Sequence, residues 1–221
     1  VVSGDTTPEP NETFFINLTN PTNATIADNQ GVGTITNDDL STGYRDAVLA
    51  DAPAGYWRLG EAAGATVAVD SSGNNRPGSY QNGVALGLAG AINADPDTAA
   101  GFDSSNDQIA IPDNADFRSS NITLEAWVYR DGTTQDYDSI LMKTSSGQWN
   151  DGFGFYHLGG NVAFFVNHYA AGRVQAALPN AAWTHVVGTY DGTNLRLYFN
   201  GAPAATVAYT TPLTHSLSPL L

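Results

Sequence analysis

This chain has no cysteine and little positive charge. Its 221 residues include no Cys, and only 8 Lys and Arg residues stand against 22 Asp and Glu residues. Without Cys, a disulfide framework, a thiolate metal site and a thiol nucleophile are excluded. The formal net charge of −14 repels phosphate backbones and anionic lipid headgroups. We therefore expect neither nucleic acid nor a bare membrane as a partner, whereas divalent cations are favoured.

Long apolar runs are also missing. No segment approaches the roughly 18 uncharged apolar residues of a membrane span, so direct membrane insertion is not expected. The chain starts Val1-Val2-Ser3-Gly4, without an initiator Met or a signal-like segment, and we expect it to be part of a longer protein. A hydrophobic content of 42% suffices for a buried core, and the length predicts one or two domains.

The composition changes at Asn37-Asp38-Asp39. No Lys or Arg precedes this point, and all eight basic residues and all four Trp residues follow it. We therefore expect two modules, residues 1–40 and residues 41–221.

The first module contains two predicted strands with acidic residues beside them. Residues 13–19 alternate in polarity, and residues 31–36 are rich in β-branched side chains. The acidic residues form two sets next to these strands: Asp5, Glu9 and Glu12, and Asp38 and Asp39. An antiparallel pair would bring both sets to one end, where converging carboxylates suit Ca²⁺. The alternative is that Asp and Asn simply favour turns and strand ends.

Three segments of this module resemble a known family. Residues 4–14, 18–21 and 33–39, the last reading Gly-Thr-Ile-Thr-Asn-Asp-Asp, are similar to the C-terminal half of a Calx-β domain. The resemblance implies a partial immunoglobulin-like sandwich. It also implies that Ca²⁺ is held by the two acidic sets, with further ligands of the family upstream of this chain.

The second module is predicted to be all-β apart from a short helix at residues 44–51, which Pro53 and Gly55 end. The predicted strands are residues 54–59, 108–112, 122–129, 139–143, 153–158, 162–167, 184–190, 195–200 and 204–208. Asp191-Gly192 and Asn200-Gly201 predict hairpins with type I′ turns. The pattern indicates a meander or a jelly roll.

Several motifs of this module resemble the laminin-G-like, concanavalin A-like jelly rolls of bacterial secreted proteins. They include residues 56–61, 70–74, 109–113 and 125–128, and Trp-Thr-His-Val-Val-Gly-Thr-Tyr-Asp-Gly at 183–192. The resemblance implies a sandwich that lacks its last strands here and therefore has an open sheet edge. It also implies a structural Ca²⁺ near Asp70 and Asn74, although an Asx-rich turn needs no metal.

The sequence contains no catalytic pattern. Concanavalin A-like glucanases carry two carboxylates at alternating positions of one strand, because retaining hydrolysis needs them about 5 to 5.5 Å apart. The strand of Glu125 has no second acid, since its same-face neighbours are Thr123, Trp127 and Tyr129. The four His residues show no metal or nucleophile spacing. We therefore expect no enzymatic activity.

Binding is the chemistry that the residues favour. The aromatic candidates for stacking on sugar rings are Tyr129, Tyr137, Trp149, Tyr156 and Tyr169, and the candidates for hydrogen bonds to hydroxyls are Asn150, Asp151, Asn167 and Arg173. The alternative is that Trp57, Trp127 and Trp183 are core residues and that most Tyr residues merely flank strands.

These features predict a non-catalytic, calcium-associated adhesion module of a large secreted or surface-anchored bacterial protein. Its partners would be glycans or cell-surface proteins, beside neighbouring domains of the same parent chain. Two alternatives stay open. The jelly roll is either an accessory carbohydrate-binding module of a secreted carbohydrate-active enzyme, or a structural spacer of a surface protein.

Overall fold

The computed structural model describes residues 11–35, 42–93, 95–103, 105–132, 135–145 and 147–221. The chain divides into two compact units, Val1–Pro53 with Ile92–Pro96, and Ala54–Ala91 with Asp97–Leu221. Strands dominate, which confirms the all-β prediction. No helix in these ranges is long and apolar enough to cross a bilayer.

The first unit contains a hairpin and a helix. Strands β1 (Glu12–Asn17) and β2 (Gln30–Ile35) pair antiparallel, and helix α1 covers Thr42–Ala50. The antiparallel pairing is the one that the calcium prediction requires. Glu12 is exposed at the start of β1, whereas Asp5, Glu9, Asp38 and Asp39 lie outside the described residues. The predicted calcium cluster, the Calx-β resemblance and the boundary at residue 40 therefore stay predictions.

The second unit contains the remaining strands. The strands before the sandwich are β3 (Val67–Ala68), β4 (Gly78–Gln81), β5 (Ala85–Leu88), β6 (Ala99–Gly101) and β7 (Gln108–Ala110), followed by a 3₁₀ turn at Ala115–Phe117. The sandwich strands are β8 (Ile122–Tyr129), β9 (Ser139–Lys143), β10 (Phe153–Leu158), β11 (Asn161–Val166), β12 (Arg173–Ala177), β13 (Trp183–Tyr190), β14 (Asn194–Phe199) and β15 (Ala202–Ala208).

Two four-stranded sheets enclose the core, in the orders β12-β11-β10-β9 and β15-β14-β13-β8. Strand β13 alternates between buried and half-buried residues, so only one of its faces meets the core. Strands β10 and β11 are buried on both faces. Gly188 of β13 permits close packing, because a Cβ there would lie 2.6 Å from the ring of Phe164.

The last two residues join two sheets. Leu220 exchanges hydrogen bonds of 2.8 and 3.0 Å with Ile111, which follows β7, and Leu221 exchanges two of 2.8 Å with Met142 of β9. The three-stranded sheet β3-β4-β7 is thereby connected to β9. The sequence predicted an open sheet edge at this end of the chain; of this segment, Leu220 pairs with Ile111 and Leu221 pairs with Met142.

A buried lysine anchors the same segment. The side chain of Lys143 is 1% exposed, and its Nζ donates to Asp113 Oδ1 at 2.5 Å and to the Ser218 carbonyl at 2.6 Å. Arg118 also pairs with Asp113. Burial would raise the pKa of Asp113, but the hydrogen bonds from Lys143 and Arg118 outweigh it and hold this pKa below its usual value.

Several strand predictions are confirmed, since β8, β9 and β10 have the predicted bounds. The predicted strand at residues 54–59 is wrong. Within this segment only Trp57 forms a β-bridge, with Asp70. Its indole packs against the core and donates to the Arg76 carbonyl at 2.9 Å, so core packing rather than strand pairing determines the conformation of this segment.

Both predicted hairpins are confirmed, since β13–β14 and β14–β15 pair antiparallel, but only one has the predicted turn type. Asn200 and Gly201 both have positive φ, 49° and 78°, as a type I′ turn requires. At the other turn only Gly192 has positive φ, so type I′ is wrong there. The Asp191 carboxylate shapes that turn instead by accepting the backbone N–H groups of Thr193 and Asn194.

Candidate functional site

The outer face of the β9–β12 sheet carries a second apolar cluster, separate from the sandwich core. Met142, Tyr156, Ala163 and Phe165 form it, and all four are buried. The register places Tyr156 opposite Ala163 on neighbouring strands. Consecutive apolar residues in β10 and β11 therefore serve both faces of the sheet, so this outer face must be covered.

Three loop rings cover this face. The centroids of Tyr137, Trp149 and Tyr169 lie 6.1, 5.3 and 6.3 Å from that of Tyr156, which is fully buried beneath them. Trp149 also stacks on Phe165 at 6.2 Å. We call Tyr137, Trp149, Tyr156, Phe165 and Tyr169 the aromatic cluster. Tyr137 is 51% exposed and Trp149 and Tyr169 are half-buried, so the cluster presents ring surface to solvent.

The loop that carries Trp149 is shaped by Asp151. Its carboxylate accepts the Thr144 hydroxyl and the Ser145 backbone N–H, both at 2.8 Å, and the Ser145 hydroxyl. Burial would raise the pKa of Asp151, but the hydrogen bonds from Ser145 and Thr144 hold it below the usual value. The Trp149 carbonyl accepts the Tyr169 N–H at 3.2 Å, which links the two loops that carry the rings.

Gly152 and Asn167 fix the base of these loops. The Gly152 N–H donates to the Thr214 carbonyl at 2.7 Å, and its carbonyl accepts the Asn167 N–H at 2.7 Å. The buried Asn167 side chain donates to the Pro212 carbonyl at 2.9 Å and accepts the Thr214 N–H at 2.6 Å. The structure thus places Asn167, like Asp151, in contacts that hold the loops, while Asn150 is exposed beside Trp149.

Arg173 adjoins the aromatic cluster at the edge strand. Its Nη1 donates to the Tyr156 hydroxyl at 3.2 Å, and that hydroxyl donates to the Tyr169 carbonyl at 2.7 Å. Burial raises the pKa of Tyr156, and Arg173 opposes this shift without reversing it. Tyr156 therefore stays a neutral phenol that links Arg173 to the Tyr169 loop.

Five sequence candidates therefore meet at one place: Tyr137, Trp149, Tyr156, Tyr169 and Arg173. Tyr129 does not join them. It lies on β8 in the other sheet, 48% exposed, with its ring 5.5 Å from that of Trp183. Sequence reasoning missed Phe165, although two adjacent Phe residues in one strand indicate that both faces are covered.

The alternative prediction for the tryptophans holds in part. Trp57 packs against the core, as that alternative requires. Trp127 and Trp183 do not, because Leu124 and Val128 of β8 face the core and Trp127 therefore lies on the opposite face. Trp183 is opposite Tyr129 in the register and shares that face.

Asp70 organises a turn through backbone contacts. Its Oδ1 accepts the N–H groups of Tyr56 and Ser72 at 3.0 and 2.9 Å, and its Oδ2 accepts the Arg76 N–H at 2.9 Å. The Asn74 amide donates to the Ser72 hydroxyl at 3.1 Å. These contacts account for the turn without a metal, and nowhere in the described ranges do three metal-ligating side chains converge. Calcium binding by Asp70 and Asn74 stays a prediction.

The Asp70 turn predicts a pH effect on stability. Burial would raise the pKa of Asp70, but hydrogen bonds led by those from Ser72 lower it. A lowered pKa stabilises the fold above the unfolded value of about 3.9, and this contribution is lost as the pH falls through the folded value. Asp70→Asn should therefore reduce the free energy of unfolding by about 2 kcal/mol at neutral pH and flatten its decline below about pH 4.

Urea unfolding followed by tryptophan fluorescence measures this effect, because all four Trp residues lie in the second unit. Asp116→Asn is the control, since Asp116 is 61% exposed and its carboxylate pairs with the Arg76 side chain. We expect a change below about 1 kcal/mol there. An Asp70→Asn protein with the acid dependence of the unmodified chain would contradict the assignment.

Glu125 has no acidic partner on its strand. Its register partner is Val187, and its Oε2 lies 3.5 Å from His185 Nε2. The same-face neighbours on β8 are those that the sequence predicted, Thr123, Trp127 and Tyr129. The two-carboxylate arrangement of a retaining glucanase is therefore not present on this strand.

The comparisons with known proteins agree with this architecture. A family model described as Laminin_G_3, concanavalin A-like lectin/glucanases superfamily, matches residues 103–221, which is more than half of the chain. The chain belongs to the concanavalin A-like lectin/glucanase superfamily. No curated protein matches the sequence.

Solved structures show the same fold at low identity. The binding domain of Paraclostridial Mosquitocidal Protein 1 is 16% identical with a TM-score of 0.58, over 75% of this chain and 43% of that one. A structure of botulinum neurotoxin type C, described as depending on two ganglioside molecules for cell entry, is 14% identical with a TM-score of 0.54, over 79% of this chain and 43% of that one. This chain thus spans less than half of either toxin chain.

A third structure is shorter. Domain 4 of AbnA, a GH43 extracellular arabinanase from Geobacillus stearothermophilus in complex with arabinotriose, is 16% identical with a TM-score of 0.51, over 68% of this chain and 75% of that one. At such identities these likenesses establish the concanavalin A-like fold alone. The superfamily name includes both lectins and glucanases, so the function depends on the site.

Proposed function

We propose that this concanavalin A-like chain is a non-catalytic glycan-binding module that acts outside the cell, in adhesion. The observation that carries the proposal is the aromatic cluster. Trp149, Tyr137 and Tyr169 present ring surface to solvent on a rigid sheet, with the Arg173 guanidinium beside them. Flat apolar surface next to polar donors is the usual composition of a small-ligand site.

The rigidity of this surface supports binding. Each exposed ring packs against Tyr156, and the loops are held by Asp151, Asn167 and Gly152 through several hydrogen bonds. A ligand would therefore meet rings that are already ordered, and the entropy lost on binding would be small. The solved structures that share the fold also support the proposal, since the neurotoxin is described as interacting with two ganglioside molecules and the arabinanase domain is in complex with arabinotriose.

Replacing Trp149 by alanine should weaken glycan binding at least tenfold, equivalent to about 1.4 kcal/mol. The reason is the loss of a half-buried ring that contacts four other rings of the cluster. The measurement is binding to an immobilised oligosaccharide panel that includes arabino-oligosaccharides and ganglioside glycans, followed by calorimetry on the hits, with and without chelator. The chelator arm tests the predicted calcium dependence.

Tyr129→Ala is the matched control for this experiment. Tyr129 is exposed and aromatic but lies on the other sheet, so its loss should leave binding unchanged. Trp149→Phe should retain part of the affinity because a ring remains. If no panel member binds the unmodified chain, the proposal is wrong and the structural-spacer alternative is favoured. If a glycan binds and Trp149→Ala binds it as tightly, the aromatic cluster is not the binding site and the proposal is wrong for this surface.

A second function is that of an accessory carbohydrate-binding module of a larger secreted enzyme. The observation that favours it is the arabinanase domain, which has the same fold and was solved with an arabinotriose ligand. Both functions use the same site. The coding sequence on either side decides between them, because a hydrolase domain favours the accessory module and further adhesion-type repeats favour the adhesin.

A further inference from the structure

Arg173 differs from the other basic residues in its partners. Six of the eight Lys and Arg side chains are paired with an Asp carboxylate, in the pairs Arg45–Asp46, Arg58–Asp97, Arg76–Asp116, Arg118–Asp113, Lys143–Asp113 and Arg196–Asp191. A seventh, Arg130, donates to the carbonyls of Gly160 and Leu178. In the part of the chain that the structure describes, Arg173 has only the neutral Tyr156 hydroxyl.

This pairing is unexpected in so acidic a chain. With 22 acidic against 8 basic residues, carboxylates are abundant. Arg173 is nevertheless half-buried, in contact with Tyr156 and opposite Phe165 of the aromatic cluster, where a cation without an anion is less favourable than in water. No nitrogen of Arg173 is both buried and unpartnered, so the donors that do not reach Tyr156 are open to solvent. The guanidinium is therefore available to an external anion.

The register places these donors beside the aromatic cluster. Arg173 is opposite Phe165, and the exposed Gln175 is opposite Ala163, on the same outer face of the sheet. A sugar ring that stacks on Trp149 or Tyr169 would thus have Arg173 and Gln175 at one side. Guanidinium groups bind planar carboxylates through two parallel N–H donors.

We propose that the sugar bound at this site carries a carboxylate, which pairs with Arg173. This inference rests on the proposed glycan-binding function and names the ligand class. The net charge of −14 does not prevent such pairing, because charges farther away than a Debye length of about 8 Å are screened by salt, whereas a contact pair is not. Uronic acids and sialic acids both provide the carboxylate.

Two pairs of probes test the proposal by calorimetry on the whole chain. The first pair is a galacturonate trimer and its methyl ester, and the second is sialyllactose and lactose. We expect the acidic member of one pair to bind at least about tenfold more tightly than its neutral partner. The pair that shows this preference identifies the source of the carboxylate.

Two variants of Arg173 complete the test. Arg173→Met keeps much of the length without the charge and should abolish the preference, so that the acidic and the neutral member of a pair bind equally. Arg173→Lys keeps the charge and should retain part of the preference. Near-ultraviolet circular dichroism of each variant confirms that the aromatic cluster is intact.

The outcomes separate this inference from the function on which it rests. If acidic and neutral partners bind equally, or if the preference survives in Arg173→Met, the carboxylate proposal is wrong. The glycan-binding function stands in either case if the unmodified chain binds neutral sugars and Trp149→Ala abolishes this binding. If neither member of either pair binds and the wider panel is also negative, both are wrong.

Discussion

Gly152→Ala should lower the free energy of unfolding by at least about 3 kcal/mol or prevent folding. Two independent effects add at this position. Gly152 has a φ of +68°, which is unfavourable for any residue with a Cβ. A Cβ would also lie 1.7 Å from the Lys143 carbonyl oxygen, so the backbone of β9 or of the Trp149 loop would have to move.

Two glycines separate these effects. Gly73 has a φ of +88° with nothing near its Cβ position, so Gly73→Ala measures the backbone term alone, about 1 to 2 kcal/mol. Gly147 has open space and no positive φ, and Gly147→Ala should be close to neutral. Urea unfolding of the three variants is the measurement. If Gly152→Ala lowers the free energy of unfolding no more than Gly73→Ala does, the close approach of residue 152 to the Lys143 carbonyl oxygen is not correct.

Lys143→Met should destabilise the second unit by about 3 kcal/mol. The substitution keeps a similar apolar length but removes the ammonium group that contacts Asp113 and the Ser218 carbonyl. The Ser218 carbonyl then loses a charged donor, and Asp113 keeps only Arg118. Removing one member of a buried ion pair is costly because the other charge is left with fewer partners.

The pH dependence identifies the cause of this loss. Because the pKa of Asp113 is held below its usual value, its ion pairs stabilise the fold above about pH 4 and are lost as the pH falls through the lowered pKa. The difference between Lys143→Met and the unmodified chain should therefore shrink in acid. Arg196→Met at the exposed Asp191 pair is the control and should leave the unfolding midpoint unchanged. If the loss of unfolding free energy in Lys143→Met is the same at every pH, its assignment to the ion pairs of Asp113 is contradicted.

Much of the sandwich could be predicted from residue patterns. Residues 122–129 alternate strictly and form β8 with those bounds. Strand β12 was missed, because Arg-Val-Gln-Ala-Ala has one large apolar residue and is a strand only through its pairing with β11. Residues 54–59 contain Tyr and Trp but form no strand, since Trp57 is placed by core packing. Strand propensity alone does not include these tertiary effects.

The candidate site could be predicted less completely. The residue types were informative, because Trp149, Tyr156, Tyr169 and Arg173 meet as one group. Their proximity depends on loops whose shapes come from hydrogen bonds between distant residues, such as that from Asn167 to Pro212. For the same reason Tyr129, equally suitable by type, lies on the other sheet.

The position of Leu220 and Leu221 between Ile111 and Met142 affects how this unit can form during synthesis. The strands that they join are translated much earlier, so on the ribosome β7 and β9 emerge with unsatisfied edges until residues 220 and 221 are made. A nascent chain in that state is prone to pair with other strands and would benefit from a holding chaperone.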